Sequence, residues 1–241
     1  MAHLVCTDLH GCYNLWEQIR NDLRSEDTLY FLGDAIDRGD RGWDIVKEMI
    51  SNPQIIYLLG NHEDMMLKYF SIASGKVGGS RMEALRLWQW NGGGPTLEAI
   101  QQEDEEVRDS ILNTLRGKYD HLIEEVDIGG NHFVLTHAGY TPPARPWEIE
   151  DILWNRHHFA RPWPEDKEYQ NWYMIHGHTP IDFVLEQIEF FDIPYVRESD
   201  SSPLVYSDGH KIDLDLCSIA SGVAVVYELE TMTYKIYEEK V

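Results

Sequence analysis

Five short motifs carry the residue types that bind cations and phosphate. TDLHG (Thr7 to Gly11) holds Asp8 and His10, GDAIDRG (Gly33 to Gly39) holds Asp34, Asp37 and Arg38, and GNHE (Gly60 to Glu63) holds Asn61 and His62. THAG then supplies His137, and IHGHTP supplies His176 and His178. A site for two hard or borderline cations needs oxygen and imidazole donors from several segments, plus one carboxylate placed to bridge the ions. This set offers both kinds of donor. Arg38 and Arg156, the latter in LWNR (Leu153 to Arg156), add guanidinium forks that match phosphate oxygens. A lone DxH pair or a lone histidine after a strand is common in proteins with no metal, so it is the ordered combination that carries the signal.

The elements that must position these residues can be read from periodicity. HLVCTD, TLYFLGD and QIIYLLG are strand-like, with helical spacing at Leu15, Trp16, Ile19 and Leu23 and again over Trp43 to Ile50. That is a βαβαβ unit whose strands end at Asp8 and His10, at Asp34, and at Asn61 and His62. Ligands gather at the carboxyl ends of parallel strands in such sheets, and the intervals of 26 and 27 residues between Asp8, Asp34 and Asn61 suit one crossover each. From Glu63 to about Gly117 the pattern is helical, interrupted by GKVGGS and NGGGP turns, with its Met and Trp residues expected in the core. Beyond Leu122 the chain reads as β-rich: a hairpin-like pair in IEEVDIGGNHFVLTHA, then WYMIHGH, KIDLDL, GVAVVYELE and TYKIYEE. Ala160 to Gln170 and Pro194 to Pro203 read as surface loops.

At 241 residues the chain suits one α/β domain, taken as 1–241 with a helical insertion at about 63–117. Forty-two acidic against 20 basic residues give a formal charge of -22, which repels the phosphate backbone of long nucleic acids. No apolar run is long enough to span a membrane, and MAHLVCTD reads as a strand rather than a signal peptide. Cys6, Cys12 and Cys217 have no CxxC spacing, which argues against a disulfide framework or a thiolate zinc site and suggests a reducing, cytoplasmic home.

Together the motifs resemble the calcineurin-like metallophosphoesterases, and within them the phosphoprotein phosphatase group of phage lambda and bacterial serine/threonine phosphatases. The resemblance runs from about residue 3 to residue 230 and includes NGGGP and LWNR. It implies a four-layer α/β/β/α sandwich of two mixed sheets flanked by helices. It also implies two divalent metal ions, manganese first, with iron or zinc compatible. Asp8 and His10 would hold one ion, Asn61, His137 and His178 the other, and Asp34 would bridge. His62 and Asp37 map onto the family's acid pair, Arg38 and Arg156 onto its phosphate clamp, and Arg38, Asn61 and Arg156 onto substrate binding. The expected partner is a phosphoprotein or small phosphoester, cleaved by a metal-bridging hydroxide without a phosphoenzyme. His176, which does not follow the family's Gly, is expected to be structural or to support a ligand, and His157 and His158 match no motif.

Three positions depart from the family pattern: Thr7 in place of Gly, Leu59 where an arginine often precedes GNHE, and Cys217 in place of the Gly of a DxG pattern. The related symmetrical bis(5'-nucleosyl)-tetraphosphatases usually lack the counterpart of Asp37 and read GNHD in the third motif, so GDAIDRG and GNHE favour the phosphatase.

Overall fold

In β1 (His3–Cys6), Val5 belongs to one apolar layer and Cys6 to another. The same alternation recurs in β2 (Thr28–Phe31), where Tyr30 joins Val5 while Leu29 and Phe31 join Cys6. Strands buried on both faces must lie inside a layered fold. The structure, a computed structural model, describes residues 1–239 and supplies those layers. The remaining strands are β3 (Ile55–Tyr57), β4 (Ile123–Ile128), β5 (Asn131–Thr136), β6 (Trp172–His176), β7 (Tyr195–Val196), β8 (Leu204–Tyr206), β9 (Lys211–Asp213), β10 (Val223–Glu228) and β11 (Thr233–Glu238). The helices are α1 (Tyr13–Asp22), α2 (Gly42–Ser51), α3 (Asn61–Ala73), α4 (Arg81–Trp90), α5 (Gly94–Gln102), α6 (Glu105–Gly117), α7 (Ile149–Trp154), α8 (Ile181–Phe190) and α9 (Ser218–Ser221).

One sheet has the order β11-β10-β1-β2-β3 and the other β4-β5-β6-β9-β8-β7. Both are mixed: β1, β2 and β3 run parallel while β10 is antiparallel to β1, and β5, β6 and β9 run parallel while β4 and β8 are antiparallel. Val5, Tyr30, Phe133, Leu135, Ile175, Ile212 and Val225 form the layer between the sheets. Leu15, Trp16, Ile45, Val46 and Trp88 cover the outer face of the first sheet. Each fully buried side chain of this size contributes roughly 2 kcal/mol. The architecture is the expected α/β sandwich of two mixed sheets flanked by helices.

The βαβαβ unit and the β4–β5 hairpin lie where periodicity places them. The second half holds more helix than its β-rich pattern suggested. In α8, Ile181, Val184 and Ile188 recur at helical spacing and are buried, a signal masked by the strand-like residues around it. The Pro194–Pro203 segment includes the short edge strand β7. Trp163, inside the supposed surface loop at 160–170, is buried with Val134, Tyr140 and Met174. No helix among the described residues is long and apolar enough to cross a membrane.

Candidate metal centre

Every motif lies at the carboxyl end of a strand. Asp8 and His10 follow β1, Asp34, Asp37 and Arg38 follow β2, and Asn61 and His62 open α3 directly after β3. From the second sheet, His137 follows β5 and His178 follows β6. Asp8, His10, Asp34, Asp37, Arg38 and His178 all have positive φ, six of the eleven such non-glycine residues described. Left-handed backbone costs of order 1 kcal/mol or more per residue and persists only where the surroundings over-determine it, so its concentration here marks a site built against local preference.

Close backbone approach makes this possible. A Cβ on Gly33 would lie 2.2 Å from Gly60 N, and one on Gly60 would lie 2.0 Å from Asp34 Oδ1. The GDAIDRG and GNHE turns therefore touch. Glu63, to which the sequence reading gave no role, ties them together: its carboxylate accepts from the backbone N–H groups of Asp34 (2.9 Å), Ala35 (3.0 Å) and Gly60 (2.8 Å) and from the Tyr57 hydroxyl (2.9 Å). The available signal was its place three residues into a helix, where an acidic side chain caps the backbone at the start.

Asp34 is central. His10 Nε2 lies 3.6 Å from its Oδ2, and His137 Nε2 lies 3.6 Å from its Oδ1. His10, Asp34 and His62 form one group able to hold a metal ion, and Asp34, His137 and His178 form a second, the atoms of each within 4.8 Å of one another. Asn61 Oδ1 adds an oxygen donor, 3.0 Å from His137 Nε2 and 2.8 Å from His178 Nδ1. Asp8 closes the first side, 3.8 Å from His10 Nε2. The predicted ligand residues thus converge on one centre around Asp34. His62 enters the geometry as a third imidazole, its Nε2 3.8 Å from Asp34 Oδ2.

The donor chemistry fits divalent cations. Burial holds His137 down to about 3 and moves His10 and His178 well below the usual histidine range, so these rings are neutral. With a neutral ring, His10 Nδ1–H donates to the Ile36 carbonyl (2.9 Å) and His137 Nδ1–H to the Leu32 carbonyl (2.7 Å), leaving both Nε2 lone pairs facing the centre. His137 Nε2 and Asn61 Oδ1 then meet as two acceptors. Asp8 Oδ2 accepts from Thr7 Oγ1 (2.5 Å) and from the His178 backbone N–H (3.0 Å), whereas its buried Oδ1 has no partner, nor has the buried Nε2 of His178. Burial, then neighbouring carboxylates, push Asp8 and Asp34 well above their ordinary range. Unpartnered donor atoms and crowded carboxylates are what a dication relieves.

On the far side of Asp34, His62 Nδ1 is 2.7 Å from Asp37 Oδ2. Burial raises Asp37 to about 7, opposed by Thr96, Trp88 and Arg38; burial, then the charges of Arg38 and Arg156, lowers His62 to about 3. Burial and two guanidinium groups therefore oppose a charged His62 ring beside Asp37. Arg38 Nη1 donates to His10 Nε2 (2.8 Å) and Nη2 to His62 Nε2 (3.1 Å). Arg156 is exposed at the rim, its Nε donating to Thr179 Oγ1 (3.2 Å).

Residues 1–216 match the family model for calcineurin-like phosphoesterases. The chain belongs to that family. Its two His/Asp groups suit a binuclear metal site. It is 28% identical over 159 residues to "Serine/threonine-protein phosphatase 2" of Salmonella typhimurium, covering 63% of this chain and 66% of that protein. It is also 29% identical over 157 residues to "Bis(5'-nucleosyl)-tetraphosphatase, symmetrical" of Acidovorax ebreus, covering 64% of this chain and 48% of that one. The alignments thus span less than two thirds of these relatives' own lengths. A metallophosphoesterase structure from Sphaerobacter thermophilus shares the fold, with a TM-score of 0.54 at 16% identity over 100% of this chain and 88% of that one.

The departures from the family pattern have physical readings. Leu59 is fully buried in the helix-side core. Cys217 has φ +54, a conformation that glycine adopts freely and that explains a Gly at this place in relatives. His176 and His158 are buried and belong to neither metal group.

Proposed function

We propose that this calcineurin-like phosphoesterase is a phosphomonoesterase acting on phosphoserine or phosphothreonine in proteins, or on small phosphate esters. One observation carries the reading: the 2.7 Å contact between Asp37 and His62, set beside Asp34, which both candidate metal groups share. Asp8 and His10 would hold one ion, Asn61, His137 and His178 the second, and Asp34 both. Bound there, such ions neutralise phosphate charge and acidify water. Manganese, iron and zinc all suit oxygen and imidazole donors.

The chain's own groups do the rest. Arg38 and Arg156, with Asn61, bind the phosphate oxygens. A phosphate that draws Arg38 away frees the His62 Nε2 lone pair, which takes up a proton from solvent, balanced by the one the attacking water gives back. As water attacks phosphorus, the bond to the leaving oxygen breaks and its electron pair stays on that oxygen. His62 then delivers the proton from Nε2, while Asp37 holds the ring by Nδ1. A poor leaving group, such as a serine or threonine alkoxide, needs that proton most.

A second reading, opening of a dinucleoside polyphosphate, is favoured by the Acidovorax ebreus relative and by the buried Leu59, which leaves the clamp unlike that expected of a lambda-type phosphatase. Against it, a charge of -22 repels a polyanion at long range. The deciding experiment compares kcat/KM for a phosphoserine or phosphothreonine peptide with that for diadenosine tetraphosphate, with the same metals and at two ionic strengths. The peptide is expected to be preferred. A clear preference for the polyphosphate at both ionic strengths would overturn the monoesterase reading and leave the metal centre standing.

A further inference from the structure

Trp88 was expected to be core packing, and it is fully buried against Tyr69 and Phe70, with ring centroids 5.7 and 6.1 Å away. Packing does not account for its indole N–H. That group donates to Asp37 Oδ2 at 2.8 Å, the oxygen that also meets His62 Nδ1. The other carboxylate oxygen of Asp37 is buried and has no partner. Without Trp88, only the His62 contact would orient the carboxylate, and His62 is the group it has to orient.

The wider WQWNGGGPT segment grips the same two residues. Asp37 N–H donates to Thr96 Oγ1 (2.9 Å) and Arg38 N–H to the Gly92 carbonyl (2.9 Å), holding Asp37 and Arg38 at φ +72 and +67. Gly93 lets the indole reach this position, because a Cβ there would lie 2.5 Å from ring atoms Cδ1 and Nε1 of Trp88. The NGGGP turn therefore brings α4 close enough for its tryptophan to bond the carboxylate beyond β2.

We infer that Trp88 is a positioning residue for the proton-donating pair: its indole N–H fixes the Asp37 carboxylate so that Oδ2 faces His62 Nδ1. This rests on the acid role proposed above for His62. An uncompensated loss of one hydrogen bond to a buried carboxylate should slow the proton-dependent step about 10-fold.

Two variants test it: Trp88→Phe, and the isosteric β-(3-benzothienyl)alanine at position 88 alone, which keeps the bicyclic ring and replaces N–H with sulfur. Each is compared with wild type and His62→Ala in the metal-loaded enzyme, over phosphomonoesters with leaving groups from p-nitrophenol to an alkyl alcohol. The benzothienyl protein is expected to lose about 10-fold in kcat on the alkyl ester, much less on p-nitrophenyl phosphate, with KM and metal content unchanged. Combined with His62→Ala, it should cost nothing further. If His62→Ala depends on the leaving group while both position-88 variants lose activity equally on all esters, or lose none, Trp88 is packing alone and the inference falls. If His62→Ala is itself indifferent to the leaving group, the acid reading falls and takes this one with it. Should Trp88→Phe fold poorly, the benzothienyl variant decides.

Discussion

Two clusters of buried imidazoles and carboxylates lie close together in this protein, His176 and His178 being two residues apart at the end of β6. One gathers His10, Asp34, His62, His137 and His178; the other contains His158, His176 and Asp213, with Lys211 and Tyr206. Burial alone does not separate them, and neither does titration: burial holds both His137 and His176 down to about 3. They differ in where the free atoms point. In the first, nitrogen and oxygen donors from five strand ends converge across short gaps around Asp34, with Arg38 donating to the Nε2 atoms of His10 and His62. In the second, His176 Nε2 is bonded to the Tyr206 hydroxyl (2.8 Å), and Lys211 Nζ donates to the carbonyls of His158 (2.6 Å) and Arg161 (2.8 Å). Unpartnered atoms occur in both, on Asp8 and His178 in the first and on His158 and Asp213 in the second; it is convergence of donors on one shared carboxylate, Asp34, that marks a metal centre, while a lowered histidine pKa marks only a buried ring.

The largest effect expected from this contrast is at the two aspartates. Asp34→Asn removes the shared carboxylate and should reduce both metal occupancies, with activity falling by about 10³-fold or more, the upper range for losing one charge-stabilising group. Asp213→Asn, equally buried, should leave two ions per chain and kcat within about 10-fold of wild type. Metal analysis of both proteins checks this. Equal metal loss in the two would erase the distinction between the clusters.

His62 tests the boundary of the first cluster, because its Nε2 is in range to be a ligand while its Nδ1 is committed to Asp37. As an acid, His62→Ala should lower kcat by roughly 10²- to 10⁴-fold with metal content near that of wild type. If one ion is lost as well, His62 belongs with the ligands.

How far the sequence revealed this contrast depends on how local each signal is. Asp8, His10, Asp34, Asn61 and His62 were legible because each sits at the end of an apolar strand in a short glycine-flanked motif. His137 and His178 come from strands of the other sheet; their motifs put them among the candidate donors, and the family resemblance assigned them to the second ion. His176 and His178 look alike in IHGHTP; strand alternation would put both on one face, but β6 ends at His176 and His178 has φ +70, so one ring meets Tyr206 and the other Asn61. Contacts that cross long intervals were not legible. Trp88 reaching Asp37 and Glu63 bridging two turns depend on backbone proximity that no periodicity encodes.

A smaller effect is expected at His176, which supports the second cluster. His176→Phe keeps a planar ring and removes the bond to Tyr206, leaving a buried hydroxyl unpartnered; the cost should be about 1–3 kcal/mol of stability. Activity per metal-loaded molecule should change little. Denaturant midpoints read against metal-normalised kcat would separate the two effects. A large fall in kcat with unchanged midpoint would move His176 into the working site.

An effect of no greater size, and the most diagnostic of the second cluster's charge, belongs to Lys211. Burial, then the nearby charge of Arg161, lowers its ammonium from the ordinary 10.5 to about 7, while two carbonyls within hydrogen-bond distance favour the charged form. If burial prevails, the folded chain releases this proton near pH 7 and the unfolded chain keeps it until about 10.5. Between those values the unfolded state binds more protons, so stability rises with pH by at most about 1.4 kcal/mol per unit; below pH 7 both states are charged and the slope vanishes. Lys211→Met removes the titrating group. Urea unfolding at pH 7, 8 and 9, at fixed metal concentration, should therefore show wild type gaining on the variant as pH rises. Parallel curves would mean that the two carbonyls hold Lys211 charged throughout, in which case the second cluster carries a fixed cation of its own and differs from the metal centre in that charge as well as in where its lone pairs point.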